Sequence, residues 1–328
     1  MLNGRHPRRK SRNTFFLGYS KPWSCYRPQI SHRLVKKGNL MSPKRDNNRH
    51  GRRFSQDPKH APNPHRQEKR PERQMESTRE QWLYGRHAVL AAIGNPSRRC
   101  RRLILTSEAM AQTGESLRQA FALAQDGRLS PEILSRTEID RILPEGATHQ
   151  GIALLADPLP QVAVEDICRN LAETPRARVV VLDQATDPRN VGAVLRAAAA
   201  FGATAVIIQD RHAPPVGGAL AKAASGALEA VALVHTVNLA RALELLKKSG
   251  FWCVGLDAGV PTALADTDLT GKIALVLGSE GEGLRRLTRD SCDLLAHIPM
   301  AQGWESLNLA TAAAIALYEA FARRPDKS

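Results

Sequence analysis

The chain has 328 residues and a formal net charge of +15, a length that suggests two domains with additional segments. Residues 1–80 contain 21 Lys and Arg against 6 Asp and Glu, whereas the remainder contains 26 of each, so the whole net charge lies in the first quarter. No apolar run reaches the roughly 18 residues that span a bilayer. The five cysteines form no CxxC pair and have no histidine at zinc-finger spacing, which argues against a disulfide scaffold or a metal site.

The first 80 residues are rich in Pro, Asn, His and Gln and poor in aliphatic side chains, which predicts a disordered basic arm. Such an arm typically contacts polyanions with salt-sensitive affinity; the alternative is a solvated tail that only aids solubility. Residues 1–40 hold no acidic residue and resemble a transit peptide, and Met41 is an alternative start. We expect a cytoplasmic protein rather than an organelle-targeted one, because no amphipathic helix is evident in residues 1–40.

Residues 81–157 are predicted to form a small α/β domain. The stretch WLYGRHAVLAAI combines a short strand with a helix start, RRLILTS indicates a second strand, and QGIALLA a third. Between the second and third strands, residues 108–125 carry apolar side chains at helical spacing. A polar, Pro-containing linker is predicted for residues 158–177.

Residues 178–328 alternate regularly between apolar strand-like runs and helical runs. The first strand, VVVLD, is continuously apolar, as expected for a buried parallel strand. Residues 217–230, GGALAKAASGALEA, are predicted to form a helix; Asn238 is predicted to cap the next helix and Gly250 to end it. Strict alternation predicts an α/β fold with a mostly parallel sheet and helices on both faces.

Three motifs lie where a predicted strand meets a helix, the position at which open α/β sheets bind ligands. In LGSEGEGL, residues 277–284, glycines beginning at Gly278 leave the backbone open to a ligand, and Glu280 is either a helix cap or a ligand group. The spacing differs from the dinucleotide motif GxGxxG, and no phosphate-loop Lys follows, which disfavours a nucleotide-phosphate site. A tight structural turn is the alternative.

In TDPRNVGAVLR, residues 186–196, Asn190 is predicted at the N-cap of a helix and Arg196 lies about two turns further along it. An Arg among apolar neighbours normally has an anionic partner, which here is Glu280 or a substrate phosphate. In IPMAQGWESLNLATA, residues 298–312, Ser306 or Asn308 is expected to cap the last helix, and capping alone accounts for only one of them.

Together, in this order and spacing, the motifs resemble those of the SpoU (TrmH) family of RNA 2′-O-methyltransferases of the SPOUT class. The resemblance covers residues 178–324, and WLYGRHAVLAAI and HQGIAL resemble the small RNA-binding domain that precedes the catalytic domain in some members. It implies a C-terminal trefoil knot, which periodicity does not reveal, and a homodimer whose cleft is completed across the interface. It also implies that S-adenosylmethionine is held by backbone near Gly278, Ile298 and Leu307.

By the same resemblance, Arg196 is the catalytic Arg, supported by Asn190, Glu280, Ser306 and Asn308. Because Arg stays protonated in proteins, we expect it to hold the phosphate beside the target ribose rather than to act as a base. Trp304 either stacks on a base or packs at the dimer interface. The expected substrate is a guanosine of 23S rRNA; the alternatives are a guanosine of tRNA and a catalytically silent RNA-binding assembly factor.

Overall fold

A computed structural model describes residues 81–123, 129–304 and 306–322, and the predicted basic arm of residues 1–80 lies outside these ranges. The described residues form two sheets. The strands are β1 (Gln81–Tyr84), β2 (Cys100–Leu105), β3 (Pro131–Ile133), β4 (Ile152–Ala156), β5 (Ala177–Leu182), β6 (Ala205–Gln209), β7 (Ala232–Thr236), β8 (Phe251–Leu256), β9 (Lys272–Leu277) and β10 (Leu294–Ala296). The α-helices are α1 (Arg86–Gly94), α2 (Ser107–Leu123), α3 (Arg136–Ile142), α4 (Val164–Asn170), α5 (Pro188–Ala200), α6 (Gly218–Ala224), α7 (Leu239–Lys248), α8 (Arg286–Asp290) and α9 (Leu309–Ala322).

The smaller sheet has the strand order β1-β4-β2-β3. Strand β4 pairs antiparallel with β1 and β2, while β3 is parallel to β2. Along β2, Leu103 and Leu105 pack in the cluster that contains α1 and α2, whereas Ile104 packs with Ile139 of α3 on the opposite face. Successive side chains of a β-strand point to opposite faces of the sheet. The short, strongly apolar strand β2 is therefore covered by helices on both faces.

The larger sheet has six parallel strands in the order β10-β8-β9-β5-β6-β7. Val179 and Val181 of β5 pack in the cluster that contains α4 and α7. Val180 and Leu182 pack in the cluster that contains α5, α6 and α9. The predicted α/β fold, with a parallel sheet and helices on both faces, is confirmed for this part of the chain.

Two local elements differ from the sequence expectation. Residues 158–177, predicted as a linker, contain helix α4, because Val164, Ile167 and Leu171 lie at helical spacing and bury against the larger sheet. The helix predicted over residues 217–230 ends instead at Ala224, since Ser225 and Gly226 both take left-handed backbone conformations, and a short 3-10 turn follows. The predicted cap and end of α7 are confirmed, as Asn238 accepts from the Arg241 N–H at 3.1 Å and Gly250 has φ +84°.

The strand order positions the motifs. Strands β5 and β9 are adjacent and parallel, so the loops that follow their carboxyl ends emerge side by side. Helix α9 packs against both α5 and β9, and buried Arg178 of β5 donates to the carbonyl of Ala320 near the end of α9 at 2.9 Å. No helix in the described ranges is both long and apolar enough to cross a bilayer.

Candidate active site

The Gly-rich motif after β9 is a tight hairpin that closes on itself. Ser279 and Gly283 exchange two backbone hydrogen bonds of 3.1 Å, and Gly281 and Gly283 have positive φ angles. A Cβ atom on Gly278 would overlap the backbone of Gly283 and Leu284. The chain itself therefore fills the space where a Gly278 side chain would lie, and only glycine fits at this position.

The tip of this hairpin brings the three motifs together at Glu280. Its Oε1 atom accepts from Asn190 Nδ2 at 2.8 Å, from Asn308 Nδ2 at 2.8 Å and from the Leu309 N–H at 3.1 Å. Asn308 Nδ2 also lies 3.1 Å from Asn190 Oδ1. One carboxylate thus joins the start of α5, the end of β9 and the start of α9 through charge-assisted hydrogen bonds.

The start of α5 differs in detail from the prediction. The N-cap is Asp187, whose carboxylate accepts from the Arg189 N–H at 2.8 Å, and Pro188 begins the helix. Asn190 lies inside the first turn, so its amide does not serve as the cap and reaches Glu280 instead. The last helix follows the prediction: Asn308 Oδ1 accepts from the N–H groups of Ala310 and Thr311 at 3.0 and 3.3 Å.

Arg196 is exposed and, among the described residues, has no hydrogen-bond or ion-pair partner. Glu280, one of its two predicted partners, is bonded to the two asparagines instead. Arg196 lies six positions after Asn190 in α5, a rise of about 9 Å along the helix. The Arg196 side chain lines a shallow groove of about 430 Å³ between α5 and α9, whose other lining residues are Ala193, Ala197, Ala200, Ala310, Thr311 and Ala314.

The remaining predicted residues surround the Glu280 cluster without joining it. Ser306 is exposed and makes no hydrogen bond to another described residue. Ile298 and Leu307 are half-buried, and Ile298 packs against the main apolar cluster. Within the described part of the chain, the backbone groups of Gly278, Ile298 and Leu307 form no hydrogen bonds to one another or to other residues. Their N–H and C=O groups are therefore available to a polar ligand.

An ion pair between the buried Asp183 and the half-exposed Arg285 was not predicted from the sequence. Asp183, fully buried at the end of β5, accepts from Arg285 Nε at 2.8 Å and from the Arg285 N–H at 3.1 Å. Arg285 Nη2 also donates to Gln209 at the end of β6 at 2.7 Å. The pair fastens the loop after β5 to the residue that follows the Gly-rich hairpin. The available signal was an acidic residue directly after a fully apolar strand, which rarely stays buried without a partner.

Two thiols that interact with each other are those of Cys253 in β8 and of Cys292, which follows α8. Burial, together with the nearby Asp293 carboxylate, raises the pKa of Cys253 and of Cys292 to about 12. The thiols are therefore protonated at neutral pH, and Cys100, Cys168, Cys253 and Cys292 are all free. No cluster of three or more His, Cys, Asp or Glu side chains that could hold a metal ion occurs in residues 81–123, 129–304 and 306–322.

Two family models match the chain. Residues 177–318 match the SpoU rRNA Methylase family, and residues 82–162 match the RNA 2′-O ribose methyltransferase substrate binding family. Among curated proteins, the 23S rRNA (guanosine-2′-O-)-methyltransferase RlmB of Vibrio cholerae is 37% identical over 243 residues, which cover 74% of this chain and 96% of that protein. The protein of the same name from Coxiella burnetii is 39% identical, covering 72% of this chain and 93% of its own length.

Solved structures show the same fold. The SpoU methyltransferase AviRb from Streptomyces viridochromogenes, in complex with the cofactor AdoMet, matches with a TM-score of 0.61 and 22% identity over 74% of this chain and 90% of that chain. A putative RNA methyltransferase of the TrmH family from Porphyromonas gingivalis matches with a TM-score of 0.56 and 25% identity over 75% and 90%. By these matches, the chain belongs to the SpoU rRNA methylase family.

Proposed function

We propose that this chain transfers the methyl group of S-adenosylmethionine to the ribose 2′-hydroxyl of a guanosine in 23S rRNA. The observation that carries the proposal is the convergence of Asn190, Asn308 and the Leu309 N–H on Glu280, which unites three motifs of a methylase family in one cluster. The alignment with RlmB proteins spans nearly the whole length of those relatives, including the smaller sheet, and this supports rRNA over tRNA.

The methyl donor fits the residues present. Gly278, Ile298 and Leu307 offer unpaired backbone donors and acceptors beside half-buried apolar side chains, the kind of surface that holds a purine and an amino-acid tail. When bound, S-adenosylmethionine supplies a methyl carbon already activated by its positive sulfur. The residues of the chain then need to place the ribose oxygen in line and exclude competing nucleophiles.

We assign phosphate binding to Arg196. Its guanidinium is exposed, unpaired among the described residues and permanently charged, so it can hold the phosphate beside the target ribose by a two-pronged hydrogen bond. The same charge stabilises the negative charge that develops on the ribose oxygen as its proton leaves to the phosphate or to water. Asn190, Glu280 and Asn308 form the rigid support of this site, and Ser306, exposed beside them, is proposed to contact the substrate.

We propose that the active form is a homodimer, with Arg196 of one subunit completing the site built around Glu280 of the other. No hydrogen bond or ion pair joins Arg196 to Glu280 within the described chain, and the α5–α9 groove beside Arg196 is lined by small side chains that admit a second helix. Tyr318 on α9 and Trp304 before it are large and exposed, at 56% and 75%, as expected of residues that a partner covers. Contact between Trp304 and an RNA base is the alternative.

Subunit mixing tests the dimer proposal. Arg196→Ala and Glu280→Ala are each expected to be nearly inactive, but mixed and refolded together they form heterodimers with one site in which both residues are intact. Random pairing then restores about a quarter of the wild-type activity. If both residues acted within one chain, each heterodimer would contain two damaged sites and the mixture would stay inactive.

We also propose the trefoil knot and the division into a substrate-binding domain of residues 81–157 and a methyltransferase domain of residues 178–328. In support, the chain after β10 lies against the loop between β8 and β9: the His297 N–H donates to Thr262 O at 2.9 Å, and its carbonyl accepts from Leu264 N at 2.8 Å. An experimental map in which residues 297–308 pass outside that loop would overturn the knot. We also propose a cytoplasmic location, in line with action on rRNA and with the bacterial relatives.

Mapping of 2′-O-methylation in 23S rRNA and tRNA from a strain that lacks the gene tests the function. Loss of one mark in 23S rRNA is expected, with restoration by the wild-type gene and not by a gene encoding Arg196→Ala. Loss of a tRNA mark would replace the rRNA substrate with tRNA. Unchanged marks in both would favour the catalytically silent RNA-binding factor.

A further inference from the structure

A buried ion pair joins the smaller sheet to the larger one. Arg98 Nη2 and Nε donate to Glu229 at 2.5 and 3.2 Å, and Arg98 Nη1 donates to the carbonyl of Asp157 at 2.9 Å. Asn95 Nδ2 donates to the same Glu229 carboxylate at 2.7 Å. The Arg98 and Glu229 side chains are only 1% and 7% exposed, so their charges are compensated by each other and by the surrounding hydrogen bonds.

Glu229 ends a segment that is pressed against the smaller sheet at two further points. This segment, Gly218–Glu229, comprises α6 and the 3-10 turn after it, and we call it the connector. At its start, a Cβ atom on Gly218 would overlap the Tyr84 ring of β1. Further along, a Cβ on Gly226 would lie 2.9 Å from Ala91 Cβ of α1. The connector backbone therefore lies directly against β1 at Gly218 and against α1 at Gly226. The Arg98–Glu229 ion pair holds the far end of the connector.

The opposite side of the connector packs against the helix that carries the proposed catalytic residues. A Cβ atom on Gly192 of α5 would lie 2.6 Å from both the Leu220 carbonyl and Ala223 Cβ of α6. Asn190 and Arg196 lie on either side of Gly192 in α5. One short segment thus contacts β1 and α1 on the side of the smaller sheet and α5 on the side of the larger sheet.

We infer that the connector fixes the smaller sheet relative to α5, so that RNA held by the smaller sheet presents one particular ribose to Arg196, and that Glu229 is a positioning residue for the reaction. The inference rests on the proposed function, because it assumes that the smaller sheet holds RNA. A covalent link between the two sheets through residues 157–176 does not by itself set their angle. The ion pair and the two close glycine contacts do so, because densely packed contacts admit few alternative arrangements.

The test uses Glu229→Gln, Arg98→Gln and the double variant in the full chain, with Glu244→Gln on α7 as a control, since Glu244 is exposed. Either single change leaves a buried donor or charge without its partner, whereas the double variant removes both charges. We expect each single change to raise KM for a 23S rRNA fragment about tenfold, with kcat at saturating RNA changed less than about twofold, and the double variant to recover part of the loss. A merely structural role would instead lower the active fraction, and therefore kcat, at unchanged KM.

Hydrogen exchange gives a second readout that does not depend on activity. Faster exchange is expected in the turn at residues 95–98 and in the connector of both single variants, and near-wild-type exchange in α7. Unchanged KM together with unchanged exchange in those segments would overturn the inference. If a single variant does not fold, the double variant decides by the same two measurements. If the wild type methylates a tRNA instead, KM is compared on that RNA, so failure of the rRNA proposal is distinguished from failure of this inference.

Discussion

Asn190 and Asn308, which stand 118 residues apart in the sequence, donate to the same oxygen of Glu280. Each asparagine belongs to a helix start, and the glutamate belongs to a hairpin after a strand between them. A single acceptor that binds donors from both helices fixes their relative position more strongly than three independent caps would, since moving either helix breaks a bond to a charged group. The motifs therefore act as one unit.

Replacement of Glu280 by Ala is expected to lower kcat/KM about 100-fold, because two asparagine amides and the Leu309 N–H lose their shared charged acceptor. Methyl transfer from labelled S-adenosylmethionine to rRNA measures the effect. Glu282→Ala is the matched control: this exposed residue lies in the same hairpin and makes no hydrogen bond to Asn190, Asn308 or Leu309, so activity should stay near wild type. Equal activity of the two variants would refute the shared role of Glu280.

Much of this cluster could be predicted from the sequence because its residues lie in local patterns. Asn190, Glu280 and Asn308 each follow a strand-to-helix junction, and parallel strands bring such junctions to one edge of the sheet. The alternation of strands and helices likewise predicted the parallel sheet. What local pattern does not contain is the identity of a long-range partner. The pairing of Asp183 with Arg285, 102 residues apart, depends on which strands are neighbours, as does that of Arg98 with Glu229.

At two positions the residue type alone did not give the structural role. Asn190 has the residue type of a cap, but Asp187 precedes Pro188 and takes that position, because proline is favoured in the first turn and leaves the acidic residue before it as the cap. Gly278 was predicted to leave its backbone open to a ligand, and the structure adds that its Cβ position is filled by the backbone of Gly283 and Leu284. In both cases the residue type was informative, and its partner was decided by the three-dimensional path of neighbouring residues.

Arg196→Lys keeps the positive charge but loses the planar pair of donors that binds a phosphate at two points. We expect kcat to fall about 100-fold, with little change in the Kd for S-adenosylmethionine, because the proposed contact is to RNA and to the developing oxyanion. Single-turnover kinetics and calorimetric titration of the methyl donor separate the two effects. Arg241→Lys, on α7 at the opposite face of the sheet, is the control and should change neither. Near-normal turnover by Arg196→Lys would exclude the phosphate-binding role.

Gly278→Ala is expected to lower stability by about 1–3 kcal/mol and to abolish most activity, since the added methyl group meets backbone atoms of Gly283 and Leu284 that cannot rotate away. Gly114→Ala is the control, and this change is expected to raise stability. A Cβ atom there meets nothing within 4 Å, and Gly114 lies within helix α2. Alanine in a helix interior is favoured over glycine by roughly 0.5–1 kcal/mol. Thermal unfolding should therefore shift down for the first variant and up for the second; a common direction would contradict this account of the hairpin.

The raised pKa of the Cys253 thiol predicts how the stability of the fold changes at alkaline pH. Burial raises the pKa of Cys253 from 9.0 to about 12, so above pH 9.0 the unfolded chain loses this proton while the folded chain retains it. The contribution of this thiol to the free energy of unfolding is thus fully present below pH 9.0 and is lost progressively as the pH rises towards 12. Urea midpoints measured across this window should fall less steeply for Cys253→Ala than for the wild type. Cys168→Ala, which leaves Cys253 and Cys292 in place, is the control and should show the wild-type dependence of the urea midpoint on pH. The same dependence in all three proteins would show that the Cys253 thiol does not contribute.

The basic arm is predicted to supply much of the electrostatic attraction to RNA, because the chain from residue 81 onward carries equal numbers of acidic and basic residues. A variant that begins at Gln81 should bind rRNA more weakly and with a shallower dependence of log Kd on log salt, each lost phosphate contact removing roughly 0.7–0.9 from the slope. Residues 1–40 contain 10 Lys and Arg and no Asp or Glu, so starting at Met41 should remove the larger share of the effect. Because the hydrogen bonds described for the Glu280 cluster all join residues 190–309, we expect kcat at saturating RNA to be the same in all three proteins. Identical salt slopes would show instead that the arm is a tail without contact to RNA.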